Sequence, residues 1–144
     1  MKKLMSIVSL LSGIFILSCE ADQVGYLITH HARYAPDTVV FQSVLNPDNP
    51  ADARRIEFEI PWQSPDIQGI EGTLPRSYRL LRMECDNYHP EAVSQFRISD
   101  INAVIQLPYN HTVPPGRYVF SIEISNENRR NIRQVNSALT IIIE

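Results

Sequence analysis

The clearest structural signal in this chain is the stretch Tyr118-Val119-Phe120-Ser121-Ile122-Glu123-Ile124-Ser125 (residues 118–125). Every even position carries a large apolar residue, whereas every odd position except Val119 is polar or charged. Side chains of a β-strand point alternately to its two faces, so this pattern is typical of a strand with one face against a core. We predict a strand over 118–125 whose odd-numbered face, including Glu123, is exposed to solvent.

Short apolar runs of this kind recur along the chain, separated by clusters of Pro, Asn, Asp and Gly. Ten prolines disfavour long helices, and only residues 84–95, around Pro90, leave room for a short helical turn. The pattern predicts an all-β protein, a β-sandwich of seven to eight antiparallel strands in one domain over 24–144, closed by a terminal hairpin. The predicted strands are 24–29, 38–45, 55–60, 78–85, 95–98, 103–107, 118–125 and 137–143.

A resemblance to a known fold lies in Thr112-Val113-Pro114-Pro115-Gly116-Arg117-Tyr118-Val119-Phe120-Ser121-Ile122 (112–122). Followed by an Asn-rich turn and an Ile-rich strand, this stretch resembles the end of an immunoglobulin-like or cadherin-like domain, in which Pro-Gly-x-Tyr opens the penultimate strand. The resemblance implies an immunoglobulin-like β-sandwich. It also implies that Tyr118 is a tyrosine corner, whose hydroxyl bonds to backbone upstream of it.

The amino terminus has the pattern of a secretory signal. Lys2 and Lys3 precede an apolar run over 4–17 that is too short to cross a bilayer, where about 20 residues are needed. The run closes with Ile16-Leu17-Ser18-Cys19, which resembles a bacterial lipobox. We therefore expect a lipoprotein signal peptide over 1–18, acyl chains such as palmitate on Cys19, and a tether over 19–23 that holds the domain at the membrane.

Removal of the signal peptide changes the charge of the protein. The mature chain keeps 11 basic residues, all arginine, against 16 acidic ones, which gives a net charge of −5. This balance disfavours nucleic acid and anionic lipid surfaces as partners, so the lipid on Cys19 is the expected membrane contact. Arginine clusters, including Arg129, Arg130 and Arg133, are candidates for carboxylate or sulfate recognition, because guanidinium groups bind such anions bidentately.

The whole chain resembles small surface lipoproteins of Bacteroidota, on several features together. These are the lipobox, the acidic Glu20 and Asp22 behind it, Gly25-Tyr26-Leu27-Ile28 and 69–75. The resemblance implies an outer-membrane lipoprotein, facing the cell surface or the periplasm, that serves polysaccharide uptake as a glycan-binding or accessory module. The alternative is a structural spacer or protein-interaction module whose partner is another envelope protein and not a polysaccharide.

Glycan binding needs aromatic rings against sugar faces and polar side chains for the hydroxyl groups. Tyr88 and Tyr109 stand in predicted loops beside amide and imidazole groups, and Asn110 follows the second of them. Trp62 comes after Pro61 at a predicted strand end, where it either packs over the core or forms an exposed platform. The candidate ligand-binding residues are therefore Trp62, Tyr88, Tyr109 and Asn110.

No catalytic residue, metal site or cofactor is predicted. Glu57 and Glu59 share one face of the predicted strand 55–60, and we interpret them as solvent-facing rather than as a glycosidase pair. Residues 46–52, with Asp48 and Asp52, suit turn formation, and calcium binding there is left open.

Two single residues complete the predictions. Thr38, in Asp37-Thr38-Val39, matches the short motif on which exported Bacteroidota proteins are O-glycosylated. Lipidation of Cys19 leaves Cys85 as the one remaining thiol, so no intrachain disulfide is expected, and we interpret Cys85 as a small buried apolar residue.

Overall fold

The structure, a computed structural model, describes residues 25–86 and 88–144. The predicted signal peptide, the lipidation site Cys19, the tether over 19–23 and Val24 lie outside the described residues. Within that range strands hold 42% of the residues and helices 12%, which confirms the all-β class. None of the helices there has the length and apolar composition needed to cross a membrane.

The described residues form eleven strands, two α-helices and one 3-10 helix. The strands are β1 Leu27–Ile28, β2 Arg33–Tyr34, β3 Thr38–Phe41, β4 Trp62–Gln63, β5 Ile67–Gln68, β6 Glu71–Gly72, β7 Ser77–Cys85, β8 Arg97–Ile98, β9 Ile105–Leu107, β10 Gly116–Ser125 and β11 Ile132–Ile143. The helices are α1 Pro50–Glu57, α2 Pro90–Val93 and the 3-10 helix Glu127–Arg129. The number of strands exceeds the predicted seven to eight because β2, β4, β5 and β6 have only two residues each, too few to show a period.

The largest sheet has four strands in the order β3-β11-β10-β7. A three-stranded sheet has the order β4-β9-β8, and β1-β6 and β2-β5 form two further pairs. β10 and β11 form the predicted long antiparallel hairpin, which carries a register shift between Phe120 and Ile122. The pairing of β3 with β11 is parallel, which departs from the all-antiparallel arrangement predicted.

β10 lies in the interior of the large sheet, and its predicted core face is confirmed. Tyr118, Phe120, Ile122 and Ile124 are all buried, the last three completely. The prediction for the opposite face is wrong, because Val119, Ser121, Glu123 and Ser125 are also buried. Neighbouring strands flank β10 on both sides, and long side chains around it, such as the arginines that contact Glu123, shield this second face from solvent.

Aromatic contacts join the two largest sheets in one hydrophobic core. Phe96, directly before β8, lies with its ring centroid 4.9 Å from that of Phe120 and 5.6 Å from that of Tyr118. At another point Phe41 of β3 stacks on Trp62 of β4, with centroids 5.4 Å apart.

The predicted strand 55–60 is wrong, because helix α1 covers its first half and a turn follows. Asn49 caps the helix by accepting a hydrogen bond from the Ala51 amide, and Pro50 occupies the first turn, where its missing N–H costs nothing. Glu57 consequently ends a helix, and Glu59 lies in a turn with φ of 51°. The two carboxylates do not share a strand face. Ile56, Phe58 and Ile60, which the strand would have turned inward, are exposed.

Tyr118 makes the contact that its resemblance to a tyrosine corner implies. Its hydroxyl donates a 2.7 Å hydrogen bond to the carbonyl of Pro114, four residues upstream. The bond ties the entrance of β10 to the Pro-Pro turn before it. The assignment of the whole fold as immunoglobulin-like stays a prediction.

Candidate functional site

A cleft of about 390 Å³ opens between the turn after α1, the start of β8 and the loop after β9. Its volume lies in the range of small-molecule sites, roughly 300–1,000 Å³. We call it the Tyr109 cleft, and it is lined by Glu59, Pro61, Gln95, Arg97, Gln106, Leu107, Pro108, Tyr109 and Asn110.

Arg55 stabilises the turn after α1, which forms one wall of the Tyr109 cleft. Its guanidinium donates to the carbonyls of Ile60 and Pro61, at 3.1 and 2.9 Å, and so closes the turn that carries Glu59. The same guanidinium lies 3.8 Å from the ring centroid of Trp62. One arginine therefore fixes both the turn and the indole beside it.

Side-chain hydrogen bonds hold the loop after β9 in place. Gln95 contacts Thr112 twice: its carbonyl accepts from the Thr112 amide at 2.9 Å, and its amide donates to the Thr112 hydroxyl at 3.0 Å. The imidazole of His111 bonds to the Gln42 carbonyl at 3.1 Å and to the Val113 amide at 3.2 Å. Tyr109 and Asn110 thus stand on a loop that is ordered before any ligand arrives, which lowers the entropy cost of binding.

Polar side chains face the cleft from its other walls. Arg97 and Gln106 are direct partners across β8 and β9, so their side chains stand on the same face of the small sheet. Within the described part of the chain, neither these two side chains nor those of Glu59, Tyr109 and Asn110 make a hydrogen bond or ion pair. The cleft therefore presents donors, acceptors and one aromatic ring to a ligand. The side chain of Gln95 instead forms hydrogen bonds that hold the loop after β9.

The four predicted ligand residues divide into two groups. Tyr109 and Asn110 line the cleft together. Trp62 does not line it and packs against the core, with Phe41 stacked on its ring and Arg55 over it. The exposed-platform alternative for Trp62 is therefore wrong. Tyr88 is 67% exposed and also lies outside the cleft.

Sequence reasoning missed three of the residues around the cleft: Glu59, Arg97 and Gln106. Glu59 was predicted to lie in a strand. The local sequence gives no signal for the turn that brings Glu59 to the cleft. Arg97 and Gln106 belong to strands too short to predict their pairing. The sequence does not show the register between β8 and β9, and this register places the two side chains next to each other.

The acidic loop before α1 acts as a helix cap in the structure. The Asp52 carboxylate accepts from the Asn46 amide at 3.0 Å, and the Asn46 side chain accepts from the Asp48 amide at 3.0 Å. Across residues 25–86 and 88–144, no group of three or more His, Cys, Asp or Glu side chains is arranged to hold a metal ion.

Thr38 and Cys85 lie at the ends of strands. Thr38 is exposed at the start of β3, with its hydroxyl 3.2 Å from the Asp37 carboxylate, and its O-glycosylation stays a prediction. Cys85 ends β7 opposite Tyr118 and is half-buried, packed against the core.

Comparisons with known proteins give no assignment for this site. No protein-family model, no curated protein and no solved structure matches the chain. Conclusions about function therefore come from the geometry above and from the sequence.

Proposed function

We propose that this protein is a non-catalytic lipoprotein of the bacterial cell envelope that binds glycan in the Tyr109 cleft, as an accessory module of a polysaccharide-uptake system. One observation carries the proposal. An aromatic ring on a pre-ordered loop stands beside several polar side chains that have no partner in the described part of the chain. A sugar ring needs this combination, because it has apolar faces and a rim of hydroxyl groups.

The composition of the cleft supports binding without catalysis. Glu59 is the single carboxylate among the described residues that line it. Glycoside hydrolysis ordinarily requires a pair of carboxyl groups on either side of the scissile bond. Glu57, the nearest carboxylate along the chain, ends α1 and does not line the cleft.

Calorimetric titration with a panel of plant, fungal and bacterial oligosaccharides tests the proposal. We expect one class of saccharide to bind, and Tyr109→Ala to weaken that binding roughly tenfold, equivalent to about 1.4 kcal/mol. Asn110→Ala should weaken it as well.

Tyr88→Ala is the matched control for this titration, since Tyr88 is a loop tyrosine that lies outside the cleft. Its affinity should equal that of the unchanged protein. The proposal is contradicted if no saccharide of the panel binds, or if Tyr88→Ala and Tyr109→Ala lose equal amounts of affinity.

Membrane attachment through Cys19 is testable by metabolic labelling with radioactive palmitate. Cys19→Ala should lose both the label and the membrane fraction, because each acyl chain contributes about 0.8 kcal/mol per buried methylene. Cys85→Ala, which removes the other cysteine, should keep both. Label retained in Cys19→Ala contradicts the anchor.

A second candidate function, a spacer or protein-interaction module, has its own supporting observation. Ile56, Phe58 and Ile60 are exposed beside the cleft, and Phe58 is 62% exposed. Such a patch suits contact with another envelope protein. A photo-crosslinking residue at position 58 tests this function. Crosslinking to one defined envelope protein, together with no binding to any saccharide of the panel, would favour it.

A further inference from the structure

We propose that a second pocket, formed by Ser77, Arg79, Ser125 and Arg129, binds one singly charged oxyanion. The pocket has a volume of about 260 Å³ and lies where β7 begins and β10 ends; Tyr78 completes its lining. We call it the Arg79–Arg129 pocket. It shares no lining residue with the Tyr109 cleft, so anion binding does not depend on glycan binding there; a lipid source for the anion rests on the proposed anchor at Cys19.

Glu123 orients both arginines of this pocket. Arg79 contacts its carboxylate at two points: Nη2 donates a hydrogen bond to Oε2 at 3.0 Å, and Nε lies 2.7 Å from Oε1 in an ion pair. Arg129 Nη2 donates to Oε1 at 2.9 Å. Both guanidinium planes are therefore held by a buried carboxylate, and little rotamer freedom is left to lose when an anion binds.

Each arginine keeps donors for a ligand. Within the described part of the chain, Nη1 of Arg79, and Nε and Nη1 of Arg129, have no acceptor. The side chains of the two arginines are 55% and 51% exposed, so these N–H groups reach solvent. Hydrogen bonds from a guanidinium group to an oxyanion are charge-assisted and therefore stronger than hydrogen bonds between neutral groups.

Two serine hydroxyls stand beside these donors. Ser77 and Ser125 are direct partners across β7 and β10, and Arg79 and Glu123 are the next such pair on the same face. Neither hydroxyl has a hydrogen-bond partner within residues 25–86 and 88–144, although Ser125 is buried. Two arginines against one glutamate leave a net charge of +1, which suits a singly charged group such as a phosphodiester, a sulfate ester or a carboxylate.

The position of the pocket favours a lipid headgroup as the source of this anion. The Asn131 side-chain amide donates to the carbonyl of Gly25, and Asn126 donates to that of Tyr26 at 3.2 Å. The first described residues are thus tied to the turn that carries Arg129. Cys19 and Gly25 are six residue steps apart, a distance of at most roughly 20 Å, so a lipid on Cys19 keeps this end of the domain close to the membrane.

The overall negative charge of the protein does not prevent an anion from binding in this pocket. The mature chain has a net charge of −5, yet Arg129, Arg130 and Arg133 all belong to the hairpin at the anchored end. Repulsion between distant charges is screened over about 10 Å at 0.1 M salt, whereas direct contacts in a pocket are screened much less. A local arginine pair can therefore bind a phosphodiester despite the overall negative charge.

The test uses the full mature lipoprotein in uncharged maltoside micelles, with nitrogen-15 NMR of the arginine Nε–H signals. One arm adds sodium methyl sulfate, a singly charged sulfate ester, at constant ionic strength; the other mixes phosphatidylglycerol into the micelles. We expect saturable shifts of the Arg79 and Arg129 signals. Arg129→Gln should weaken binding at least about tenfold, because a hydrogen bond to a charged group is lost.

Two further variants make the result specific. Ser125→Ala removes a hydroxyl without touching an ion pair and should also weaken binding. Arg130→Gln removes a charge from the same hairpin outside the pocket and should leave affinity unchanged. Saturation by phosphatidylglycerol at a concentration well below that needed for methyl sulfate supports the lipid as the source, and saturation by methyl sulfate alone supports a soluble anion. Absence of saturation in both arms, or equal losses in Arg130→Gln and Arg129→Gln, overturns the proposal.

Discussion

Glu123 illustrates how a charged residue can occupy the middle of a sheet. It is buried in β10, yet two arginines reach its carboxylate from β7 and from the 3-10 helix. Hydrogen bonds from Arg79, assisted by the charges of Arg79 and Arg129, lower the pKa of Glu123 despite the opposing effect of desolvation. A carboxyl with a lowered pKa stabilises the fold above its unfolded pKa, and this contribution is lost as the pH falls through the folded value.

We predict that Glu123→Gln lowers the Tm at pH 7, since it removes the charge that both arginines contact. The difference from the unchanged protein should shrink below about pH 4.5, the ordinary value of this carboxyl, as Glu123 itself becomes protonated. Thermal unfolding followed by circular dichroism between pH 3 and 7 measures both effects.

Glu84→Gln is the control for this prediction. Glu84 pairs with Arg82 on the surface, with both side chains more than half exposed, and exposed pairs contribute little. A Tm difference for Glu123→Gln that stays constant over the whole pH range would contradict the proposed titration.

The loop after β9 depends on a neutral histidine. The Val113 amide donates to Nδ1 of His111, so that nitrogen carries no proton, and Nε2 donates to the Gln42 carbonyl. Burial lowers the pKa of His111 below its usual 6.5. Protonation would put a proton on Nδ1, the second on the ring, and break the bond to Val113, which loosens the loop that carries Tyr109.

We predict that the protein loses stability between pH 7.5 and 5.5, and that His111 causes part of this loss. The unfolded chain binds a proton at His111 near pH 6.5, whereas the folded protein does so only at lower pH, so stability falls as the pH drops. His111→Gln should flatten the dependence of Tm on pH.

The exposed histidine His89 provides the comparison for that experiment. His89→Gln should leave the pH dependence of Tm unchanged. Proton NMR of the imidazole signals would contradict the prediction if His111 titrates at or above pH 6.5.

The fold as a whole rests on a core shared by two sheets. Phe96 is buried between the small sheet and β10, against Tyr118 and Phe120. Phe58 was predicted to point inward from a strand, but it is exposed at the end of α1. These two phenylalanines therefore differ in burial although polar or charged residues flank both of them in sequence.

We predict that Phe96→Ala lowers the free energy of unfolding by about 3–5 kcal/mol, because it leaves a cavity at the contact between the sheets. Phe58→Ala should change it by no more than about 0.5 kcal/mol. Urea unfolding of both variants makes the comparison, and similar losses in the two would show that the packing described for Phe96 is wrong.

Strong local patterns were sufficient for the largest elements. The strict alternation of β10 and the apolar positions 139, 141 and 143 of β11 predict the terminal hairpin and its core face, because a period of two over many residues has only one explanation. Tyr109 and Asn110, which the sequence offers as ligand residues because of their polar surroundings, both line the cleft, and their role in binding stays a prediction.

Other features depended on contacts between distant residues. Residues 55–60 alternate like a strand, but the Asn49-Pro50 cap before them starts a helix that overrides this short pattern. The sequence pattern predicts that Glu123 faces solvent. In the structure Arg79, which is 44 residues earlier in the chain, lies opposite it. The packing of Trp62 against the core and the pairing of Arg97 with Gln106 likewise follow from contacts between distant residues. Periodicity along a chain reports which face of an element is apolar, whereas the partner that covers the other face is set only by packing.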